Sequence, residues 1–451
     1  MRRRVAELEA TVRDLTARLG QNASNSSVPP SANPPAAPKP VVKEPTGRKP
    51  GGQPGHVPYQ RVRLPAERVH QVIRHVPKQC ARCAQPLPAE AGPSDPPPTW
   101  HQVAELPEIA AAVTEHQGHT RTCPGCGHQT HAVIPAAVRA HALGPRLAAA
   151  VAFLSGHRHD SKRGVEETVA ALFGVPVSVG TVSAIEREVS AALALADATA
   201  AARVKSAAAK NVDETSWKVA GKLRWLWAAV TATALCFRIH VHRGRDGLAA
   251  LLGDDPSGII TSDRWSAYTR IDLYRRQICW AHLRRDFQAM IDRGGGGKSI
   301  GHQLLCFGED LFLWWHRVRD GTLRRATLRT YVDAMRPAFQ EVLEDGTVCG
   351  CAKTETVCTN LLALEPALWT FTRHADVEPT NNAAERAIRP AVLWRKRSFG
   401  CHSEAGCRFV ERMLTVVQTL KCQSRPVFAF LAASLAAHRN RQPAPELLPA
   451  G

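Results

Sequence analysis

The sequence predicts a multidomain α+β protein, and three observations carry that class. Its 451 residues amount to about three units at roughly 150 residues each. Two C-x2-C pairs, Cys80/Cys83 and Cys123/Cys126, mark a small module in the first third. Beyond it, a stretch of strand texture from about 205 to 290 stands between helical stretches. A hydrophobic share of 44% with 22% charged residues lets most of the chain bury a core, which excludes wholesale disorder.

Val5, Leu8, Val12, Leu15 and Leu19 recur at spacings of 3 and 4, which predicts a short coiled-coil helix over 1–20. The stripe covers under three heptads, so it reads equally as a dimerisation helix or as an amphipathic helix packed on its own domain. Residues 21–59 are rich in Pro, Ser, Asn and Gly and predict a disordered basic linker. Arg48 and Lys49 in its closing Gly-Arg-Lys-Pro-Gly-Gly segment suit phosphate contacts, which need charge and reach but no fold; a solubilising linker is the plainer reading. Residues 60–140 form the Cys-pair module, and 141–200 are Ala-rich and helical. Strand signals at 223–230, 236–241 and 258–261 fall within 205–290. Residues 291–375 return to helix, with Trp314, Trp315 and Trp369 as core candidates and Gly294–Gly297 as a loop, and 376–451 are mainly helical.

Lys and Arg total 58 against 40 Asp and Glu, a formal charge of +18. Residues 1–79 alone hold 14 basic and 5 acidic residues, so +9 of it sits in the first sixth of the chain. Such a surplus implies a polyanion partner, nucleic acid first and an anionic membrane surface second. No apolar run is long enough to span a bilayer. The opening Met1-Arg-Arg-Arg4 is followed by Glu7, Glu9, Arg13 and Asp14 rather than an apolar stretch, so no secretory signal is expected. That predicts a reducing cytoplasmic setting, in which the 13 cysteines are metal ligands or free thiols.

Cys80, Cys83, Cys123 and Cys126 supply four thiolates on two tight turns, the donor set of a structural tetrahedral zinc site with no open position. A thioredoxin-type redox site would need one pair and a βαβ pattern, which is absent. Residues 164–187 run helix, Gly-containing turn, helix, the outline of a DNA-binding helix-turn-helix, with Ser178, Thr181, Ser183 and Arg187 on the groove side; an ordinary helical hairpin has the same outline. Three carboxylates then stand out: Asp213 at a strand start, Asp263 directly after a buried-strand signal, and Glu385 early in a helix. Two Asp on neighbouring strands and a carboxylate on a helix make a hard-oxygen site suited to Mg²⁺ or Mn²⁺. Each also has a bland reading: Asp213 as a turn cap, Asp263 as a solvated strand end, Glu385 as partner of Asn382 in a capping box.

Several segments together resemble one family: Asn25-Ser-Ser27, Arg48-Lys-Pro-Gly-Gly-Gln-Pro-Gly-His56, Asp213-Glu-Thr-Ser-Trp217, Ser262-Asp-Arg-Trp-Ser-Ala-Tyr268, Cys279-Trp-Ala-His282-Leu-Arg-Arg285 and Pro379-Thr-Asn-Asn-Ala-Ala-Glu385-Arg-Ala-Ile-Arg389-Pro390. Nearly end to end, the chain is similar to the large transposase of the insertion sequence 66 family. The resemblance implies a ribonuclease H-like α/β catalytic core with a long helical insertion, and an Asp-Asp-Glu triad of Asp213, Asp263 and Glu385. The family's Cys-x2-His element falls on Cys279 and His282; two ligands are too few for a metal, so packing beside the site is expected. The tail past Phe399 matches only loosely, leaving Cys401, Cys407 and Cys422 unexplained.

The expected function is Mg²⁺-dependent cleavage and strand transfer at the ends of a bacterial insertion sequence, with Arg386, Arg389 and Lys396 holding phosphates. Expected partners are double-stranded DNA (terminal repeats and target), further copies of the chain on that DNA, and accessory proteins of the same element, in the nucleoid-associated cytoplasm and not at a membrane. The rival is an inactive or domesticated zinc and helix-turn-helix DNA-binding regulator, for which the three carboxylates are dispensable. A tyrosine recombinase is disfavoured, because none of Tyr59, Tyr268, Tyr274 and Tyr331 sits among the Arg and His residues that chemistry needs.

Overall fold

The computed structural model describes residues 61–107 and 109–448, together with Arg4, Val5, Val12, Thr16, Leu19, Gln21, Asn22, Asn25, Ser26 and Val57. Leu8 and Leu15 of the heptad stripe, and the basic arm with Arg48 and Lys49, lie outside the described residues. The chain divides into two compact units, Pro38–Ala110 and the remainder. In the first, Cys80 and Cys83 sit on a tight turn closed by Cys80 N–H to Gln85 O (2.9 Å) and Ala84 N–H to Cys80 O (2.9 Å). The side-chain amide of Gln102 joins Leu64 through both its N–H and its carbonyl.

The second unit begins with a small hairpin, β1 (Thr120–Thr122) and β2 (Gln129–His131), whose loop carries Cys123 and Cys126. Helices α1 (Pro145–Ala152), α2 (Lys162–Phe173), α3 (Val179–Ala192) and α4 (Ala194–Ser206) follow. Gly174 ends α2 in the left-handed region at φ 66°, which a side chain would resist, and Ser178 opens α3 by accepting the Thr181 N–H.

The sheet is made of β3 (Ala209–Val219), β4 (Lys222–Val230), β5 (Leu235–His240), β6 (Ile259–Ser262) and β7 (Arg276–Ile278), with α5 (Arg245–Leu252) between β5 and β6. Its spatial order is β5-β4-β3-β6-β7; β3, β4 and β5 form an antiparallel meander, while β6 and β7 run parallel to β3. The three strand segments read from the sequence are β4, β5 and β6 within a residue or so. The sequence leaves unread the extent of β3, of which only a start at Asp213 was expected, and the whole of β7, whose Arg276 and Gln277 are fully buried polar residues without the apolar run of an inner strand.

Helices α6 (Trp280–Arg293), α7 (Gly296–Arg319), α8 (Arg325–Gly346) and α9 (Ala352–Ala363) follow β7, the last three within the stretch 291–375. Trp280, Phe339 and Trp369 meet at their centre, with ring centroids 5.0–5.6 Å apart, and Trp315 is buried beside them; Trp314 is only half-buried and packs on Tyr331. The expected four-glycine loop is shorter than read: only Gly294 and Gly295 have positive φ, and α7 starts at Gly296. Gly301 lets α6 and α7 approach so closely that a Cβ there would stand 2.8 Å from the Phe287 carbonyl.

Helices α10 (Asn382–Ser398), α11 (Glu404–Cys422) and α12 (Val427–Arg439) complete the chain and share one apolar core with α1–α4 and one face of the sheet. The helical stretch 141–200 therefore rests on the C-terminal helices, and the bidentate pair Arg439–Glu188 ties them together. Helix α11 also closes the outer edge of the sheet. Thr419, Thr415 and Glu411, spaced by four along the helix, accept the outward N–H groups of Leu235, Phe237 and Ile239 of β5. An edge strand otherwise needing a partner is satisfied by a row of side chains. Cys401, unexplained in the sequence, pairs beside the end of β3 as an isolated parallel bridge to Val219: its N–H donates to Lys218 O, its C=O accepts from Ala220 N–H, and its sulfur receives the Trp217 indole N–H at 3.4 Å.

Candidate active site

Asp213 and Asp263 come together because of strand register. Asn211 of β3 pairs with Thr261 of the parallel strand β6, and each aspartate lies two residues further on. With a side-chain period of two, both carboxylates leave the same face at the same level. Asp213 is thus within β3, its fifth residue, rather than at a strand start. Both are held locally: Asp213 Oδ1 accepts the Glu214 N–H (2.9 Å) and Asp263 Oδ1 accepts the Trp265 N–H (2.9 Å). Asp263 is no freely solvated strand end, since Arg276 Nη2 also donates to its carbonyl at 2.9 Å.

Glu385 lies in the first turn of α10, and the segment before that helix is pinned beside Asp213. Asn381 is fully buried; its Nδ2 donates to Val212 O at 2.7 Å and its Oδ1 accepts from Asn211 Nδ2 at 3.1 Å. Its N–H donates to Cys279 Sγ at 3.1 Å, and Pro379 O accepts the Trp280 N–H at 2.9 Å. One asparagine therefore clamps the start of α10 to β3 beside Asp213 and to the start of α6. The capping-box alternative fails: Asn382 is the first residue of the helix, the cap is Asn381, and its side chain is spent on β3.

Burial, then the neighbouring carboxylates of Glu214, Asp263 and Glu385, push the Asp213 carboxyl well above the usual carboxylate range. Negative groups near one another in this way favour a cation, although Asp213 and Asp263 are not part of a set of three ligand atoms within 4.8 Å of one another. Basic side chains also stand beside Glu385: Arg285 Nη2 is 3.5 Å from Glu385 Oε1, and His282 Nδ1 3.7 Å from it. Neither makes a hydrogen bond there, so Glu385 Oε1 and His282 Nδ1 are both buried without a partner. Burial, then Arg285, lowers the pKa of His282 and keeps its ring neutral. Among the described residues, one group of three metal-capable side chains converges within 4.8 Å: Cys279, His282 and Glu385.

A second polar knot lies behind the carboxylates and was not read from the sequence. Glu214, next to Asp213, points the opposite way; it accepts from Arg243 Nε at 2.9 Å and from the buried Tyr268 hydroxyl at 2.8 Å. The Arg243 guanidinium lies over Trp265 (4.0 Å) and Trp225 (4.8 Å), and the Trp265 indole donates to Arg243 O at 3.2 Å. This knot fastens the 263–268 loop to the sheet. Glu214, Trp265 and Tyr268 fall inside the motif strings, but only the fold reveals their pairing.

Family comparison follows the same residues. The family model described as "Transposase IS66 family" matches residues 141–408, more than half of the chain and all of the elements that position the three carboxylates. The chain belongs to the IS66 transposase family. It is also 28% identical over 248 residues to a protein of Sinorhizobium fredii (strain NBRC 101917 / NGR234) named "Uncharacterized protein y4qI"; the match covers 49% of this chain and 45% of that protein, so the chain spans less than half of its relative.

The remaining predicted site residues of this family member distribute as follows. Ser178 and Arg187 are exposed on α3; Thr181 and Ser183 are half-buried. Three of these hydroxyls serve the helices locally: Ser178 caps α3 and faces Thr181 Oγ1 at 3.0 Å, while Ser183 donates to Val179 O and receives Lys162 Nζ at 2.7 Å. Arg386, Arg389 and Lys396 are exposed along α10, whereas Arg395 turns inward onto Thr215 and Ser216 of β3. Cys80 and Cys83 belong to one unit, Cys123 and Cys126 to the other. Within each pair, the first thiol is held below its usual range by backbone N–H groups of its turn, chiefly that of Arg82 for Cys80 and that of Cys126 for Cys123. No helix among the described residues is long and apolar enough to cross a membrane.

Proposed function

We propose that this chain is a DNA-cleaving and joining transposase whose catalytic residues are Asp213, Asp263 and Glu385. The observation that supports the reading is that Asp213 and Asp263 follow paired positions of two parallel strands, while Glu385 stands on a helix clamped to the same strand by Asn381 and lies near enough to help raise the Asp213 pKa. A sheet order of β5-β4-β3-β6-β7, with an antiparallel meander and two parallel strands, supports a ribonuclease H-like core.

The donor set fits a hard divalent cation. All three ligands are carboxylates, and Glu385 Oε1 is buried without a hydrogen bond. Asp213, Asp263 and Glu385 would hold Mg²⁺ or Mn²⁺, which when bound supplies activation of the attacking oxygen and stabilisation of the leaving oxygen. The chain's own part is placement. The β3–β6 register and the Asn381 clamp fix the carboxylates before DNA arrives, and Arg386, Arg389 and Lys396 on the exposed side of α10 draw in the phosphodiester backbone. Water attacks phosphorus in line and the 3′-oxygen leaves; the freed 3′-hydroxyl then attacks target DNA in the same geometry, with no covalent protein–DNA bond.

Around this core, α2, the turn and α3 serve as the DNA-reading module through Ser178, Thr181, Ser183 and Arg187. The arm with Arg48 and Lys49 adds sequence-independent phosphate contacts, and the four knuckle cysteines hold one structural Zn²⁺. Element ends, target DNA, further copies of the chain and accessory proteins are the partners, in the nucleoid-associated cytoplasm. Asp213→Asn, Asp263→Asn and Glu385→Gln each keep shape and remove charge. Each should abolish Mg²⁺-dependent cleavage of a duplex carrying the element's end while binding to it persists. Cleavage at the normal rate by Glu385→Gln would overturn the assignment.

A further inference from the structure

The Cys279–His282 pair was set aside in the sequence because two ligands do not make a metal site. The fold supplies the third. We propose that Cys279, His282 and Glu385 form a second cation site, of softer character, that takes Zn²⁺ and shares Glu385 with the catalytic set; the sharing rests on the catalytic reading above, the site itself does not.

Four features argue for it. Cys279 is the cap of α6 and His282 its third residue, so a single helical turn presents both side chains on one side. Their ligand atoms and that of Glu385 lie within 4.8 Å of one another. His282 Nδ1 and Glu385 Oε1 are 3.7 Å apart, close to the edge of about 3.4 Å that two ligands each about 2.1 Å from a tetrahedral ion subtend, and both atoms are buried without a hydrogen-bond partner. Finally, Cys279 Sγ already accepts the Asn381 N–H at 3.1 Å, the kind of outer hydrogen bond that orients a metal-bound sulfur. Thiolate, imidazole and carboxylate together suit Zn²⁺ over Mg²⁺, whereas Asp213 and Asp263 offer only hard oxygens. Three protein ligands leave a fourth position for water.

The consequence is competition. Without a metal, the Arg285 guanidinium at 3.5 Å balances Glu385. An ion between Cys279, His282 and Glu385 would replace it and engage the carboxylate that the catalytic cations need. Zn²⁺ bound here would restrain strand cleavage rather than support it.

The test uses the full-length chain stripped of metal and titrated with Co²⁺, whose visible absorption reports ligand type and number. Wild-type protein should take up one more equivalent than Cys279→Ser or His282→Gln, with a sulfur-to-cobalt charge-transfer band that weakens in both. The zinc knuckles, intact in all three proteins, contribute equally to each titration and cancel in the comparison. Cys279→Ser keeps an acceptor for the Asn381 N–H, and circular dichroism of both variants establishes that they fold. Equal stoichiometry and equal spectra in the three folded proteins would overturn the proposal. In a companion assay, Zn²⁺ added to the Mg²⁺-dependent reaction should inhibit wild type at concentrations at least tenfold below those needed for His282→Gln. Equal sensitivity alongside a lost equivalent would overturn the shared role of Glu385 while retaining the site. A chain that binds the extra equivalent but never cuts DNA would count against the catalytic reading instead.

Discussion

Replacing Asn381 should separate the folding role of the clamp from its catalytic one. Asn381→Ala removes the 2.7 Å bond to Val212 O and the acceptor that Asn211 Nδ2 uses at 3.1 Å; Asn211 keeps a second acceptor in Thr380 O at 3.2 Å. Leaving a buried carbonyl unsatisfied costs about 1–3 kcal/mol and the second bond about 1 kcal/mol, so roughly 2–4 kcal/mol of stability should be lost. The residue is fully buried, so no water compensates without a cavity large enough to hold it. The clamp also sets where α10 starts, and Glu385 is four residues on. A displacement of about 1 Å at a reacting group costs on the order of 10²-fold in rate. The expected result is a lower urea midpoint at unchanged slope, with a fall in kcat and little change in KM for DNA. Asn381→Asp is the decisive companion. It keeps the volume and an acceptor for Asn211 but sets an oxygen against Val212 O beside Asp213, so it should be no better than alanine. If Asn381→Asp unfolds at the wild-type midpoint and cleaves at the wild-type rate, the clamp is not what places Glu385.

Other outcomes follow from the same structure. Thr415→Val keeps the shape of a fully buried side chain but leaves the Phe237 N–H without its acceptor, and should lower stability by about 1–3 kcal/mol, read as a shift in urea midpoint; an unchanged midpoint would show that α11 does not cap the sheet edge. His157 and His159 are held neutral, each with its pKa lowered from 6.5 to about 4, first by burial and then by positive neighbours that include Lys421, Arg158 and Arg397. Because their folded values lie below the unfolded one, stability should be complete above pH 6.5 and decline as pH falls from 6.5 to 4, and His159→Gln should flatten part of that decline in thermal melts. A similar slope in the variant would remove His159 from the account. Deleting the arm at 39–63 should reduce the slope of log affinity for nonspecific duplex DNA against log salt concentration, and an unaltered slope would make the arm a plain linker.

What was legible in the sequence depended on how far apart the cooperating residues lie. Asp213 and Asp263 could be placed at strand ends because the textures around them are local, and the register of β3 against β6 then places them at neighbouring positions. Glu385 follows 122 residues after Asp263, beyond helices α6 to α9, and nothing in that spacing selects it over another acid; its place early in a helix marked it, and resemblance to the family joined it to the two aspartates. Asn381 sits in the same quoted string, yet its role is invisible there, since its partners are the carbonyl of Val212 and the sulfur of Cys279. The same holds for Thr415 and Thr419, which in a helix read as indifferent formers until the N–H groups of β5 come to face them. Strand β7 was missed for the converse reason. Gln277 is polar yet fully buried, because its amide serves Phe371 N and Leu368 O of the segment after α9. Apolar patterning records what a residue excludes, water, and so it finds cores. It does not record which distant backbone group a polar side chain must satisfy. In this chain those groups decide where α10 begins, and with it where a glutamate 122 residues from the second aspartate is held.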